Sequence, residues 1–227
     1  MNKTPLYTML LLACGAAPPL VGADPGAPGP WRSLLNDDSA PDWRGWKEPG
    51  FPAGWRVAGG VLSKDGVVDD LVTKESFADF ELELEWKIGK AGNSGIFYRG
   101  TREYVHIYWS APEYQLLDDA NAPDGRSRLT AAASAFALYG APEGVVLAFD
   151  HWNKTRIVVK GTHVEHWLNG RKVVEYELQS PDWKSRVAAS KFAAYPDYGL
   201  AKSGLIGIQG DHPGTLGIRH VRIRELP

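Results

Sequence analysis

Asn169-Gly170 sits between two β-favouring runs in TRIVVKGTHVEHWLNGRKVVEYEL, residues 155–178. Both positions of a two-residue hairpin loop need positive φ, which Asn and Gly tolerate, so this dipeptide fixes a tight antiparallel turn. It predicts Leu168 opposite Arg171 and His166 opposite Val173. His166 then shares a face with Val164, Leu168 and Val173, while Glu165 and Trp167 point the other way. In DFELELEWKIG, Leu82, Leu84, Trp86 and Ile88 alternate with Glu81, Glu83, Glu85 and Lys87. That period of two belongs to a strand with one buried face and one wet one, and it makes the glutamate row a solvated face. SGLIGIQG and IRHVRIREL read as two further strands, and the parity of the second puts Arg219 on the apolar side with Val221 and Ile223. RSRLTAAASAFALYG contains helix formers but reads as an irregular loop insertion with one turn of helix at most. Many short strands with turn residues between them, and almost no long helical period, predict an all-β sandwich or jelly roll.

The chain is 227 residues long, enough for one sizeable core, and its formal net charge of −2 gives no reason to expect nucleic acid or an anionic membrane surface as a partner. Residues 1–23 carry one lysine and then a short apolar run from Leu6 to Ala13, the pattern of an export signal rather than of a membrane span. Two processing sites are readable there. Leu11-Leu12-Ala13-Cys14 resembles a bacterial lipoprotein box that would leave Cys14 lipidated, and Val21-Gly22-Ala23 suits ordinary signal peptidase. Cys14 is the single cysteine, so the mature domain holds no internal disulfide, cysteine nucleophile or cysteine metal site. Residues 24–30, DPGAPGP, form a Pro/Gly tether, and residues 31–227 show no second linker and no repeat, which predicts one domain. Export in a bacterium places that domain in the periplasm or cell envelope.

Four polar clusters stand out. In GNSGIFYRG, Arg99 has the parity of Phe97 and Gly95, so it reads either as a clamp for a carboxylate or sugar hydroxyl or as an internal ion pair, the commoner use. In HIYWSAPEYQLLDDANAPDG, Glu113 and Gln115 share one strand face and Asp118 and Asp119 fall where it ends. A carboxylate beside an amide can move a proton while the amide holds a hydroxyl. The alternative is a turn capped by aspartates, and this is the better reading of Asp119. His166 on an apolar face reads first as a hydrogen-bonded core residue, and His212 lies in the loop of QGDHPG. Lys191, among the aromatics of AASKFAAYPDYGLAKSG, could steady a developing oxyanion, although most lysines are simply solvated. No histidine pair has metal-ligand spacing, and nucleotide and serine-hydrolase motifs are missing.

The runs GNSGIFYRG, EYQLLDD and VEHWLNG, in this order within a domain from Trp31 to Pro227, resemble the 3-keto-disaccharide hydrolase domain family. The resemblance implies a concanavalin-A-like β-sandwich (jelly roll) of two antiparallel sheets, with carbohydrate held on an open face. It also implies cleavage of glycosides oxidised at C3, by C2 deprotonation, elimination and hydration. On this reading Glu113, His166 and Lys191 are catalytic, with Glu113 or His166 as base or acid. Arg99, Gln115, Asp118, Gln209, His212 and Arg219 contact substrate. No cofactor is specified, and a divalent metal is left open. The closing GLIGIQGDHPGTLGIRHV departs from the family's usual GHIALQDHGDPVWFRNI: Leu205 replaces a histidine, Gly210 is inserted before Asp211-His212, and His220 stands where Asn is usual. Because these changes gather at one rim, a non-catalytic carbohydrate-binding module is the alternative. An ordinary two-carboxylate glycosidase is a third reading, but the short E-x-D-x-E strand of such sandwich enzymes is missing.

Overall fold

The computed structural model describes residue 1 and residues 26–227. The export signal beyond Met1, the lipidation site at Cys14 and the first two tether residues lie outside the described residues. Thirteen strands follow in order: β1 (Arg32–Ser33), β2 (Trp43–Gly45), β3 (Trp55–Ala58), β4 (Val61–Asp65), β5 (Leu71–Thr73), β6 (Phe80–Ile88), β7 (Asn93–Gly100), β8 (Glu113–Leu117), β9 (Asn153–Lys160), β10 (His163–Leu168), β11 (Arg171–Glu177), β12 (Leu205–Ile208) and β13 (Thr215–Glu225). They form two antiparallel sheets. The larger runs β11-β10-β9-β6-β13-β4-β3, with β1 also on β13, and the smaller runs β2-β5-β12-β7-β8.

The alternation read from the sequence builds the interior. Leu82, Leu84, Trp86, Ile157, Val159 and Val164 of the larger sheet meet Ile96, Tyr98, Tyr114, Leu116, Ile206 and Ile208 of the smaller one in a single core. The wet face of β6 is less solvated than its pattern suggests. Arg219, Arg222 and Arg224 on β13 bond Glu85, Glu83 and Glu81 across the strands, and Glu81 is buried under Arg224 and Arg156.

Three backbone irregularities overturn parity predictions. A bulge between His166 and Trp167 sets His166 opposite Val174 rather than Val173, although Leu168 does face Arg171. A second, between Arg219 and Arg222 with His220 at φ 54°, turns Arg219 to the outer face, where it pairs with Glu85 instead of joining Val221. Arg99 has φ 55° where β12 and β7 lose register, and its side chain leaves the face of Phe97. A bulge inserts one residue, and in a lattice of period two that reverses every direction beyond it. One helix, α1 (Pro181–Ala188), went unread; Ser180 accepts the Trp183 N–H at 3.1 Å and Pro181 starts the first turn, an ordinary N-terminal signal. The 126–140 segment is an irregular loop, as expected, its first residue closing a short 3-10 turn.

Candidate active site

The face of the smaller sheet turned away from the core divides into an apolar end and a polar strip. At the apolar end Trp46, Val72, Phe97 and Leu205 are covered by Ile107 and Ala111 of the β7–β8 connection. Leu205, standing where the family pattern has a histidine, thus makes part of a dry patch. The polar strip follows from register. Gln115 lies opposite Gly95, the Gln209 N–H donates to the Gly95 carbonyl, and Asp70 immediately precedes β5, whose Leu71 pairs with Ile208.

Glu113 pairs with Phe97 and lays its carboxyl over Gly95, into space that only a glycine leaves open. Burial raises this carboxyl to about 8; the Lys191 charge opposes the rise, and Asp70, Asp211 and Asp124 add to it. Gln115, turned so that its nitrogen finds acceptors, donates to Glu113 Oε1 at 3.1 Å and to the Ser94 carbonyl at 3.2 Å. The Lys191 ammonium is held over the Phe136 ring, 4.3 Å from its centroid. Across the strip, burial pushes Asp70 up to about 7 against the Gly210 N–H that it accepts at 2.7 Å, with Asp211 and Asp69 raising it further. Gln209 is buried between the two carboxyls, and its Oε1 has no partner. An orphaned acceptor of this kind costs about 1–3 kcal/mol unless something donates to it.

Of the residues nominated from sequence, the structure brings Glu113, Gln115, Lys191 and Gln209 to this face, and His212 lies on its rim. Lys64 holds the His212 loop by donating to the His212 carbonyl at 2.7 Å and the Gly66 carbonyl at 2.9 Å. Four others are elsewhere. Arg99 spends its guanidinium on the carbonyls of Ala78 and Gly161 and on Asp79, the internal pairing that was the commoner reading. Asp118 accepts from Ala91 N–H at 2.8 Å and Asn121 at 2.7 Å, and so shapes its loop, much as Asp119 does by accepting from Ala132 N–H. Arg219 is on the opposite surface of the sandwich. His166 is sealed between the sheets: Nδ1 donates to the Ala133 carbonyl at 2.9 Å and Nε2 accepts from the Tyr98 hydroxyl at 3.0 Å, which burial and a pKa near 4 keep neutral.

Sequence reasoning missed Asp70, Asp211, Tyr108 and the Asn93–Asp124 bond of 3.0 Å at the end of β7. Tyr108 feels the charges of Asp211 and Asp70, and its ring meets that of Tyr195 at 6.3 Å. Aromatic faces of this kind suit sugar rings. Among the described residues, one His/Glu group has the spacing of metal ligands: His163, Glu165 and Glu175, on the outer surface, with the Lys172 ammonium already between the two glutamates.

Fold and face together define a jelly-roll sandwich with buried carboxyls and amides gathered on the outer face of its smaller sheet. A sequence profile for the 3-keto-alpha-glucoside-1,2-lyase-like domain matches residues 30–224, and the chain belongs to that family. It is 35% identical to a 3-keto-disaccharide hydrolase of Bacteroides thetaiotaomicron over 218 residues, covering 81% of this chain and 74% of the relative. A crystal structure from Parabacteroides distasonis, provisionally assigned as a glycosyl hydrolase, superposes with a TM-score of 0.81 at 32% identity, over 88% of this chain and 94% of that one. A second from the same organism gives 0.68 at 26%, over 87% and 100%. A non-specific endo-beta-1,3(4)-glucanase gives 0.52 at 11% identity, over 89% and 97%, a likeness of fold alone.

Proposed function

We propose that the polar face cleaves glycosides that already carry a ketone at C3. The ketone makes the C2 proton acidic; a base removes it, the C1–oxygen bond breaks, and water adds across the resulting C1=C2 bond. Two names support this substrate class. The family description is that of a 1,2-lyase and the Bacteroides relative is a hydrolase, which correspond to the sequence stopped after elimination and to the sequence carried through hydration.

The observation that carries the chemistry is Glu113: a carboxyl buried over Gly95, raised to about 8, with Lys191 as its main counter-charge. A base near neutrality is best placed to take a weakly acidic proton. Beside it, the Lys191 ammonium can stabilise the enolate oxygen formed at C3, and the amides of Gln115 and Gln209 can hold hydroxyls. Turnover in D2O tests the route. Elimination followed by hydration leaves solvent deuterium at C2 of the released sugar, above the level the product acquires on its own, whereas direct displacement at C1 leaves protium there.

Export belongs to the same proposal and rests on the leader at residues 1–23. The mass of the mature N terminus in a bacterial host distinguishes lipidated Cys14 from a cut after Ala23.

A further inference from the structure

Elimination needs two proton transfers, one from C2 and one to the departing C1 oxygen. Glu113, beside Lys191, is placed for the first. His166, the other nominee from sequence, donates to a backbone carbonyl deep between the sheets and cannot meet a substrate. We propose that Asp70 is the catalytic acid that protonates the departing glycosidic oxygen, an inference that rests on the 3-keto-glycoside reading of this face.

Position is the first argument. Asp70 enters the polar strip from the start of β5, on the far side of β12 from Glu113. The Glu113 carboxyl lies over β7, so two strand spacings separate the backbones beneath the two groups, about 10 Å. One pyranose ring fits across that gap, with C2 toward Glu113 and Lys191 and the C1 oxygen toward Asp70.

Hydrogen bonding is the second. Gly210 N–H fixes Asp70 Oδ1 at 2.7 Å, and Oδ2 makes no further hydrogen bond among the described residues. Between the carboxyls lies Gln209 Oε1, buried and without a donor. A sugar hydroxyl is a donor of the right kind, and its arrival would satisfy an atom the folded protein leaves unpaired. Tyr108, packed against the apolar end of the same face, lies near enough to feel the Asp211 and Asp70 charges, and its ring offers the sugar a surface to lie on.

Charge is the third. Burial is the largest influence on Asp70 and raises its carboxyl to about 7; the Asp211 and Asp69 charges raise it further, while the Gly210 N–H and the Lys47 charge oppose the rise, so a share of the carboxyl carries its proton at neutrality. In the forward step the C2–H bond breaks and its proton passes to the Glu113 carboxylate. The electron pair moves through the C3 enolate to form C1=C2, the C1–O bond breaks, and the leaving oxygen takes the Asp70 proton. In hydration, the Asp70 carboxylate accepts a proton from water as its oxygen bonds to C1, and Glu113 returns a proton to C2. Both carboxyls then stand as they began.

An acid of this kind matters in proportion to how poor the leaving group is. The experiment compares wild type, Asp70→Asn and Glu113→Gln on a 3-keto-disaccharide and on 4-nitrophenyl 3-keto-glucoside, with folding checked by circular dichroism. For Asp70→Asn the expected result is a loss in kcat of about 100-fold or more on the disaccharide, and less than tenfold on the nitrophenyl substrate, whose leaving group departs as an anion. Glu113→Gln should lose heavily on both. Equal losses for Asp70→Asn on the two substrates, or no loss on either, would overturn the assignment. Wild type inert on both would overturn the reading beneath it.

Discussion

Glu113 and Gly95 share one space: a Cβ at position 95 would fall within 2.7 Å of the Glu113 Cδ and 2.8 Å of its Cγ. The glycine therefore lets the carboxyl lie across β7 instead of standing upright on β8. Gly95 is not among the positive-φ positions, so its backbone suits alanine, and the three atoms nearest such a Cβ all belong to the Glu113 side chain. Gly95→Ala is expected to displace Glu113, lower kcat/KM about 10- to 100-fold and cost about 1–3 kcal/mol in stability. Kinetics and thermal melts of the single variant test this.

Removing the charge of Glu113 should have opposite effects on activity and stability. Its carboxyl is raised from 4.5 in the unfolded chain to about 8 in the fold. The folded state therefore holds the proton more tightly, and stability from this group is greatest below pH 4.5 and declines as pH rises toward 8. Glu113→Gln should lose at least 100-fold in kcat. At pH 8 to 9 it should nevertheless be more stable than wild type, by on the order of 1–3 kcal/mol, with no gain at pH 4. Denaturant melts across that range measure it.

His166 supports the core, buried between the sheets. Its Nδ1–H holds the Ala133 carbonyl, and Ala133 in turn donates its N–H to the Gln115 carbonyl. His166→Ala leaves a cavity and an unpaired carbonyl, at a cost of about 2–4 kcal/mol. Well below its melting temperature the variant is expected to keep kcat within a few-fold. A loss as large as that of Glu113→Gln in a folded protein would contradict the placement.

Arg219 bonds Glu85 on the outer surface, where both side chains are partly solvated. Arg219→Ala should leave kcat and KM unchanged and cost under about 1 kcal/mol, as surface pairs usually do. A raised KM would mean that substrate reaches the outer sheet.

These residues also mark how far the sequence could be read. The hairpin at Asn169-Gly170 and the alternation of β6 were plain because turn chemistry and period-two burial are local properties. Glu113 and Gln115 were legible for the same reason, being alternate residues of one unbroken strand. Arg99 and Arg219 went astray where the backbone irregularity reverses direction, whereas His166 kept the buried face read for it and changed only its cross-strand partner; residues such as Arg99 and His220, at positive φ without being glycine, give no warning in sequence. Asp70 precedes a strand of three residues, too short for a period to show, and its environment comes from Gly210 and Asp211, about 140 positions later. Lys191 could be singled out by its aromatic neighbours, but its closeness to Glu113 is a fact of tertiary packing.

The most direct measurement is release of free sugar from a 3-keto-glucoside, run beside the unoxidised glucoside, with and without EDTA. Turnover of the keto substrate alone is the expected result, and sensitivity to EDTA would add a metal to the site. Equal turnover of the plain glucoside would contradict elimination chemistry in favour of a two-carboxylate glycosidase, and silence on both with sugar binding retained would make this face a binding module.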